Sequence, residues 1–181
     1  MYVPRCIFFT KGVGSDKVQL ASFENALRVA GIAHLNLVQV SSIFPPGCRI
    51  LQKEKALTRL EPGEITHCIM AREQTREPGR RIVASVGLAL PKEEGRYGYL
   101  SEHHGFGQTE KEAGDFAEDI AATMLATTLG IDFDPDKDYD ERRDIYRMSG
   151  KIIESQNISQ GTLGAEGERW TTVIAAAVFV R

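Results

Sequence analysis

Asn36-Leu37-Val38-Gln39-Val40-Ser41-Ser42-Ile43-Phe44-Pro45-Pro46-Gly47 is the stretch on which the reading of this chain turns. Leu37, Val38 and Val40 give its first half an apolar strand pattern. The two prolines forbid continued ladder pairing, and Gly47 permits a sharp turn. A strand over His34–Ser42 therefore runs into a Ser-Ser pair and stops. Alternation places Asn36, Val38, Val40 and Ser42 on one face and Leu37, Gln39 and Ser41 on the other.

Outward from this stretch the pattern is of mixed type. Upstream, Arg5–Thr10 reads as a strand and Lys11–Asp16 as a loop. Ser15 or Asp16 would cap a helix from about Lys17 to Ala30, with Leu20, Phe23, Leu27 and Ala30 on its buried stripe and Gly31 ending it. Downstream, strands are expected at Glu64–Arg72, Arg81–Leu90 and Tyr97–His103. Thr109 would cap the longest helix, which reaches about Leu129 with Phe116, Ile120, Ala121, Met124 and Leu125 buried. The charged run from Asp132 to Arg147 reads as a solvated loop leading into a short helix. Ile152–Ser159 is a further strand, Gly161–Glu168 a loop, and Trp170–Val180 a strand buried on both faces. Six or seven strands with two substantial helices are too few helices for strict βαβ alternation, so the fold class is α+β.

Composition narrows the function classes. A chain of 181 residues with 42% hydrophobic and 26% charged residues is expected to form a single domain, 1–181. Its net charge of −3 gives no broad basic surface for nucleic acid or anionic lipid. No run approaches the length of a transmembrane helix, and no signal peptide is expected at the N-terminus. The three cysteines, Cys6, Cys48 and Cys68, form no C-x-x-C pair and are expected to be reduced thiols of a cytoplasmic protein. Glu102-His103-His104 does not suit a metal, because adjacent strand residues point to opposite faces. Gly12-Val13-Gly14-Ser15 lies between a strand and a helix, but it lacks the remaining residues of a phosphate loop.

The Ser41–Ser42 peptide offers a distinct chemistry. A planar amide resists attack, and a tightly held turn can align a neighbouring hydroxyl and weaken it. Ser42 Oγ would attack the Ser41 carbonyl in an N-to-O acyl shift. β-Elimination would free Ser41 as a new carboxyl terminus. Hydrolysis of the resulting dehydroalanine, with loss of ammonia, would leave a pyruvoyl group at position 42. The products would be a β chain, 1–41, and a blocked α chain, 42–181. A pyruvoyl ketone forms a Schiff base with an amine and accepts electrons released by departing CO2, which suits amino-acid decarboxylation.

The same stretch resembles the pyruvoyl-dependent arginine decarboxylases in Ala30-Gly31-Ile32, Asn36-Leu37-Val38, Val40-Ser41-Ser42-Ile43 and Pro45-Pro46. The likeness continues through Ser22–Leu27, Ala84–Lys92, Leu100–Gly105 and Ala175–Phe179. It implies a four-layer αββα sandwich, assembled as a homotrimer or a dimer of trimers with active sites between subunits. It implies conversion of L-arginine to agmatine and CO2, with a pyruvoyl cofactor derived from Ser42 and Ser41 as the new terminus. It gives Asn36 a role in processing, Glu102 that of proton donor to the substrate carbon, and Glu24 the position that binds the guanidinium. Archaeal members carry Asp where this chain has Glu24. A carboxylate is kept, but the extra methylene leaves another amino acid open as substrate, and an unprocessed ligand-binding relative remains the other alternative. Asn36 and Ser42 lie six residues apart, roughly 20 Å along an extended strand. Asn36 is therefore expected to serve the Ser42 of a neighbouring subunit.

Overall fold

Two β-sheets face each other, and their shared core follows from strict alternation along the strands. The computed structural model describes residues 2–132, 137, 142, 144, 145 and 149–181. Most of the charged run after Asp132, and the short helix expected there, lies outside them. The described elements are β1 (Cys6–Asp16), α1 (Gln19–Ala30), β2 (Asn36–Gln39), β3 (Ile43–Phe44), β4 (Arg49–Ile50), α2 (Lys53–Leu57), β5 (Ile65–Thr75), β6 (Arg81–Pro91), β7 (Gly98–Phe106), α3 (Glu110–Thr128), β8 (Ile152–Leu163) and β9 (Trp170–Val180).

One sheet has the order β2-β5-β9-β1-β4 and the other β3-β7-β6-β8. β9 is the spine of the first. Ala175, Ala177 and Phe179 on one face of it join Ile69 of β5, Ile82, Val86 and Leu88 of β6 and Leu100 of β7 in the core between the sheets. Ile174, Ala176 and Val178 on its other face pack with Phe8, Ala26, Leu27 and Ala30 beneath α1. A third cluster joins Ala89 of β6 to Ala121, Ala122, Leu125 and Ala126 of α3. This mixed, two-sheet architecture is the α+β class expected.

The structure redraws several boundaries. Lys11–Asp16 is no loop: β1 continues to Asp16 in unbroken antiparallel register with β9. Gly12 and Gly14 are there because α1 crosses close above them. A Cβ on Gly12 would lie 2.1 Å from the Ala26 carbonyl oxygen, and one on Gly14 2.2 Å from that of Ser22. These glycines therefore pack a helix onto a strand, and the phosphate-loop reading falls. Val18 occupies the N-cap of α1 without a side-chain bond, while Asp16 Oδ1 accepts the Val18 N–H at 3.0 Å. Leu20 is 73% exposed and Phe116 47%, so neither belongs to the buried stripe expected of its helix; Ile120 is exposed too. Small residues line both contacts instead. β8 runs through Gly161 to Leu163, taking part of the expected loop, and its side chains bond to α3 through Ser155 and Asn157, which donate to Glu118.

Other expectations hold. Gly31 ends α1 with φ 79°. Thr109 caps α3 in a reciprocal box: its Oγ accepts the Glu112 N–H at 3.2 Å, and Glu112 Oε2 accepts the Thr109 N–H at 2.7 Å. β9 spans Trp170–Val180 as read.

On β6, Gly87 backs onto α3, where an added Cβ would sit 2.3 Å from the Ala117 carbonyl oxygen. Gly87→Ala should lower stability by about 1–3 kcal/mol through overpacking, read as a lower urea midpoint. An unchanged midpoint would show that α3 rides loosely on β6.

Candidate active site

The Ser-Ser pair lies where the chain leaves one sheet and enters the other. β2 stops at Gln39, shorter than the strand expected to reach Ser42, because Gln39 is the last residue in parallel register with β5, opposite Cys68. The Val40 N–H still donates to the Cys68 carbonyl at 3.0 Å. Two residues later the Ser42 carbonyl accepts the Leu100 N–H of β7 at 2.8 Å, and β3 continues against Tyr99 and Gly98. Ser42 is thus no member of the β2 face that holds Asn36. Between these anchors the Ile43 N–H donates to the Ser41 carbonyl at 2.9 Å, closing a three-residue turn centred on Ser42. Ser41 is exposed and Ser42 half-buried.

Glu102 lies on β7 two residues beyond Leu100, on the same strand face and about 7 Å along. That face carries Leu100 into the core between the sheets. Glu102 therefore stands at the edge of the gap that Ser41 and Ser42 span. Partial burial pushes its carboxyl above the ordinary range, against a smaller opposing pull from His104. The two histidines take separate partners: His103 Nε2 bonds Gln108 Oε1 at 2.7 Å, and His104 Nδ1 bonds Glu73 Oε2 at 3.0 Å. Burial pushes the thiols of Cys48 and Cys68 up to about 12, so both are poor nucleophiles near neutral pH.

Asn36 and Glu24 stand elsewhere. Asn36 opens β2, the edge strand of its sheet, and its side-chain amide donates to the Gly63 carbonyl at 2.7 Å. The extended run to Val40 carries it about 13 Å from the crossover. It lines a surface cavity with Phe23, Gln39, Met70 and Arg72. Glu24, next to Phe23 on α1, accepts a bond from Arg28 Nε at 3.1 Å. The five residues singled out in the sequence fall into two groups: Ser41, Ser42 and Glu102 at the crossover, Asn36 and Glu24 beside the edge strand. Sequence reasoning passed over the backbone groups that hold the crossover, namely the N–H groups of Ile43 and Leu100, since no side-chain pattern reports them.

The Glu102 carboxyl has a testable signature. Its pKa is raised in the folded chain, so the folded state favours the protonated form. The cost of ionising it appears as pH rises through the window that begins near the unfolded value, about 4.3, and ends at the higher folded value. Glu102→Gln should therefore be more stable than the parent above that window and equal to it below, in denaturant midpoints taken from pH 4 to 8. A difference independent of pH would remove the raised carboxyl.

Comparison with known proteins joins this geometry to a family. A sequence profile described as pyruvoyl-dependent arginine decarboxylase matches residues 6–181. A protein of Chlorobaculum tepidum named "Probable pyruvoyl-dependent arginine decarboxylase" is 58% identical over 179 residues, covering 99% of this chain and 98% of the relative. "Pyruvoyl-dependent arginine decarboxylase 2" of Methanosarcina acetivorans is 51% identical over 178 residues, covering 98% and 97%. "Pyruvoyl-dependent arginine decarboxylase" of Nitrosopumilus maritimus is 52% identical with the same coverage. With the match spanning both sheets and every residue of the crossover, the chain belongs to the pyruvoyl-dependent arginine decarboxylase family.

Proposed function

We propose that this protein is a self-processing decarboxylase that converts L-arginine to agmatine and carbon dioxide. The observation that carries the reading is the Ser41–Ser42 peptide, anchored on one side to β5 and on the other to β7, with Glu102 close along β7. Ser42 Oγ attacks the Ser41 carbonyl, elimination frees the Ser41 carboxylate, and hydrolysis with loss of ammonia leaves a pyruvoyl group on the chain 42–181. That group would supply a ketone able to condense with the substrate amine and to accept the electrons left by departing CO2. The surroundings suit it: Ser42 is only half-buried, which leaves it open to a substrate, while its carbonyl stays tied to Leu100.

Each remaining side chain has a task that its environment supports. Glu102, whose carboxyl burial pushes upward, retains a proton at a pH where an ordinary glutamate has lost it, and delivers that proton to the substrate carbon. Glu24 binds the substrate guanidinium. In the isolated chain its carboxylate already holds the guanidinium of Arg28, a contact the substrate must share or displace. Asn36 assists processing by hydrogen-bonding the Ser41 carbonyl of a neighbouring copy, because its own crossover is out of reach. The assembly is a trimer or a pair of trimers with composite sites, each subunit one domain layered α1, sheet, sheet, α3. The protein acts in the cytoplasm.

Denaturing electrophoresis with mass determination tests the processing. The parent should yield fragments 1–41 and 42–181, the latter with a blocked N-terminus, and release labelled CO2 from arginine. Ser42→Ala should remain one chain and release none. A parent that stays intact with a free serine at position 42 would overturn the reading; a split chain inert toward arginine would move it to another amino acid.

Coexpression of Asn36→Ala and Ser42→Ala chains tests the composite site. If Asn36 acts across the interface, part of the Asn36→Ala population should split in mixed assemblies, although neither variant splits alone. No rescue would return Asn36 to its own chain. Glu24→Gln should raise KM for arginine by about tenfold or more, the loss of one charge-assisted contact, without preventing cleavage.

A further inference from the structure

The turn at the crossover contains a group with no task in the chemistry above. Ile43 faces Tyr99 across the β3–β7 pair, while the Leu100 N–H is bonded to the Ser42 carbonyl. In antiparallel pairing, bonded and non-bonded residue pairs alternate, so a bonded Ser42–Leu100 pair leaves Ile43–Tyr99 non-bonded. The Ile43 N–H accordingly turns away from β7 and points back to the Ser41 carbonyl oxygen, at 2.9 Å. Its acceptor is the carbonyl of the one peptide bond that processing must open. Ser42 does not have a positive φ, so the turn is of the inverse γ form, open to an ordinary residue.

We propose that the Ile43 backbone N–H is the intramolecular oxyanion donor for self-cleavage, positioned by the β3–β7 pairing. The inference rests on the reading of the chain as self-processing and names the group that drives its first step. In that step the Ser42 Oγ–Ser41 carbon bond forms, the Ser41 carbon–Ser42 nitrogen bond breaks, and the hydroxyl proton ends on the freed nitrogen. Between these events the Ser41 oxygen carries negative charge. A donor already aimed at it requires no reorganisation, and strengthens as the charge grows. Bonding to that oxygen also draws electrons toward it and makes the carbonyl carbon more electrophilic. The donor belongs to the same chain and the same turn as the nucleophile, whereas Asn36 is about 13 Å from the crossover along its strand. An isolated subunit thus carries a primed but incomplete centre.

The side chain of Ile43 is 40% exposed and lines an apolar surface cavity with Val40, Pro45 and Pro46, so it can be altered without filling the crossover. The decisive variant replaces residue 43 by the α-hydroxy analogue of isoleucine. This turns the Ser42–Ile43 amide into an ester, removing the N–H and keeping the side chain, while the Ser42 carbonyl stays in place as a weaker acceptor for the Leu100 N–H. Cleavage is followed by gel and mass in freshly synthesised protein, beside the parent. The ester variant should split about 100-fold more slowly or worse, the usual cost of one such donor.

Equal rates in the ester variant and the parent would overturn the inference while leaving self-processing intact. A parent that does not split overturns the underlying reading instead. A second measurement does not depend on cleavage. In the Ser42→Ala chain, which cannot cut, a 13C label at the Ser41 carbonyl should give a lower infrared stretch than in the same chain carrying the ester at position 43. Identical frequencies would show that the N–H does not polarise the carbonyl, and would equally overturn it.

Discussion

The crossing of the chain from one sheet to the other within two residues is the constraint on which the site depends. Val40 is bonded to β5 and Ser42 to β7, so the peptide between Ser41 and Ser42 has little freedom to relax. Each anchor belongs to an extended ladder: β5 pairs with β9 through eight registered positions, and β7 with β6 through eight. A turn in open solvent would lose the alignment of hydroxyl and carbonyl to conformational entropy. Here that entropy has been removed by folding, and the stiffness of two sheets is applied to one amide.

The remainder of the structure can be understood as what makes the crossing possible. Pro45 and Pro46 end β3 after two residues, and the chain then returns to the first sheet as β4, parallel to β1. The inter-sheet core of Ile69, Ala71, Val86, Leu88 and Leu100 sets the gap that the Ser-Ser pair must bridge. Gly12, Gly14 and Gly87 let α1 and α3 pack closely on the outer faces of the two sheets. Glu102 comes to the crossover because β3 pairs with β7, a strand far along the chain, with Ile43 opposite Tyr99 and Phe44 opposite Gly98.

How much of this was legible depended on the kind of physical signal. β9 reads directly because its residues are apolar on both faces, and α3 because Thr109 and Glu112 satisfy each other's backbone. The Ser-Ser pair stands out through its flanking apolar run and prolines. Gly12 and Gly14 misled, since a glycine required for close approach looks like one required for a turn; the small Ser22, Ala26 and Ala30 opposite were the available signal. The strand expected over Ile152–Ser159 forms the first part of β8, and its polar Ser155 and Asn157 bond to α3 while Ser159 bonds to Ser85 of β6. Phe116 and Ile120 were drawn into the stripe by their size, yet alanines make the closer contact. The nearness of Glu102 to Ser42 was not legible from pattern at all. It arises from strand order, which periodicity does not encode.

The place of β1 has a consequence for the two pieces. This strand lies between β9 and β4 in the first sheet, flanked on each side by segments that belong to the later part of the chain. A cut after Ser41 would therefore leave the smaller fragment woven into the larger one, held by eleven registered pairs with β9. Such a nicked molecule holds together without covalent linkage, yet its reassembly after denaturation is a meeting of two molecules. Refolding would then slow with dilution, where the uncut precursor recovers at a rate indifferent to concentration.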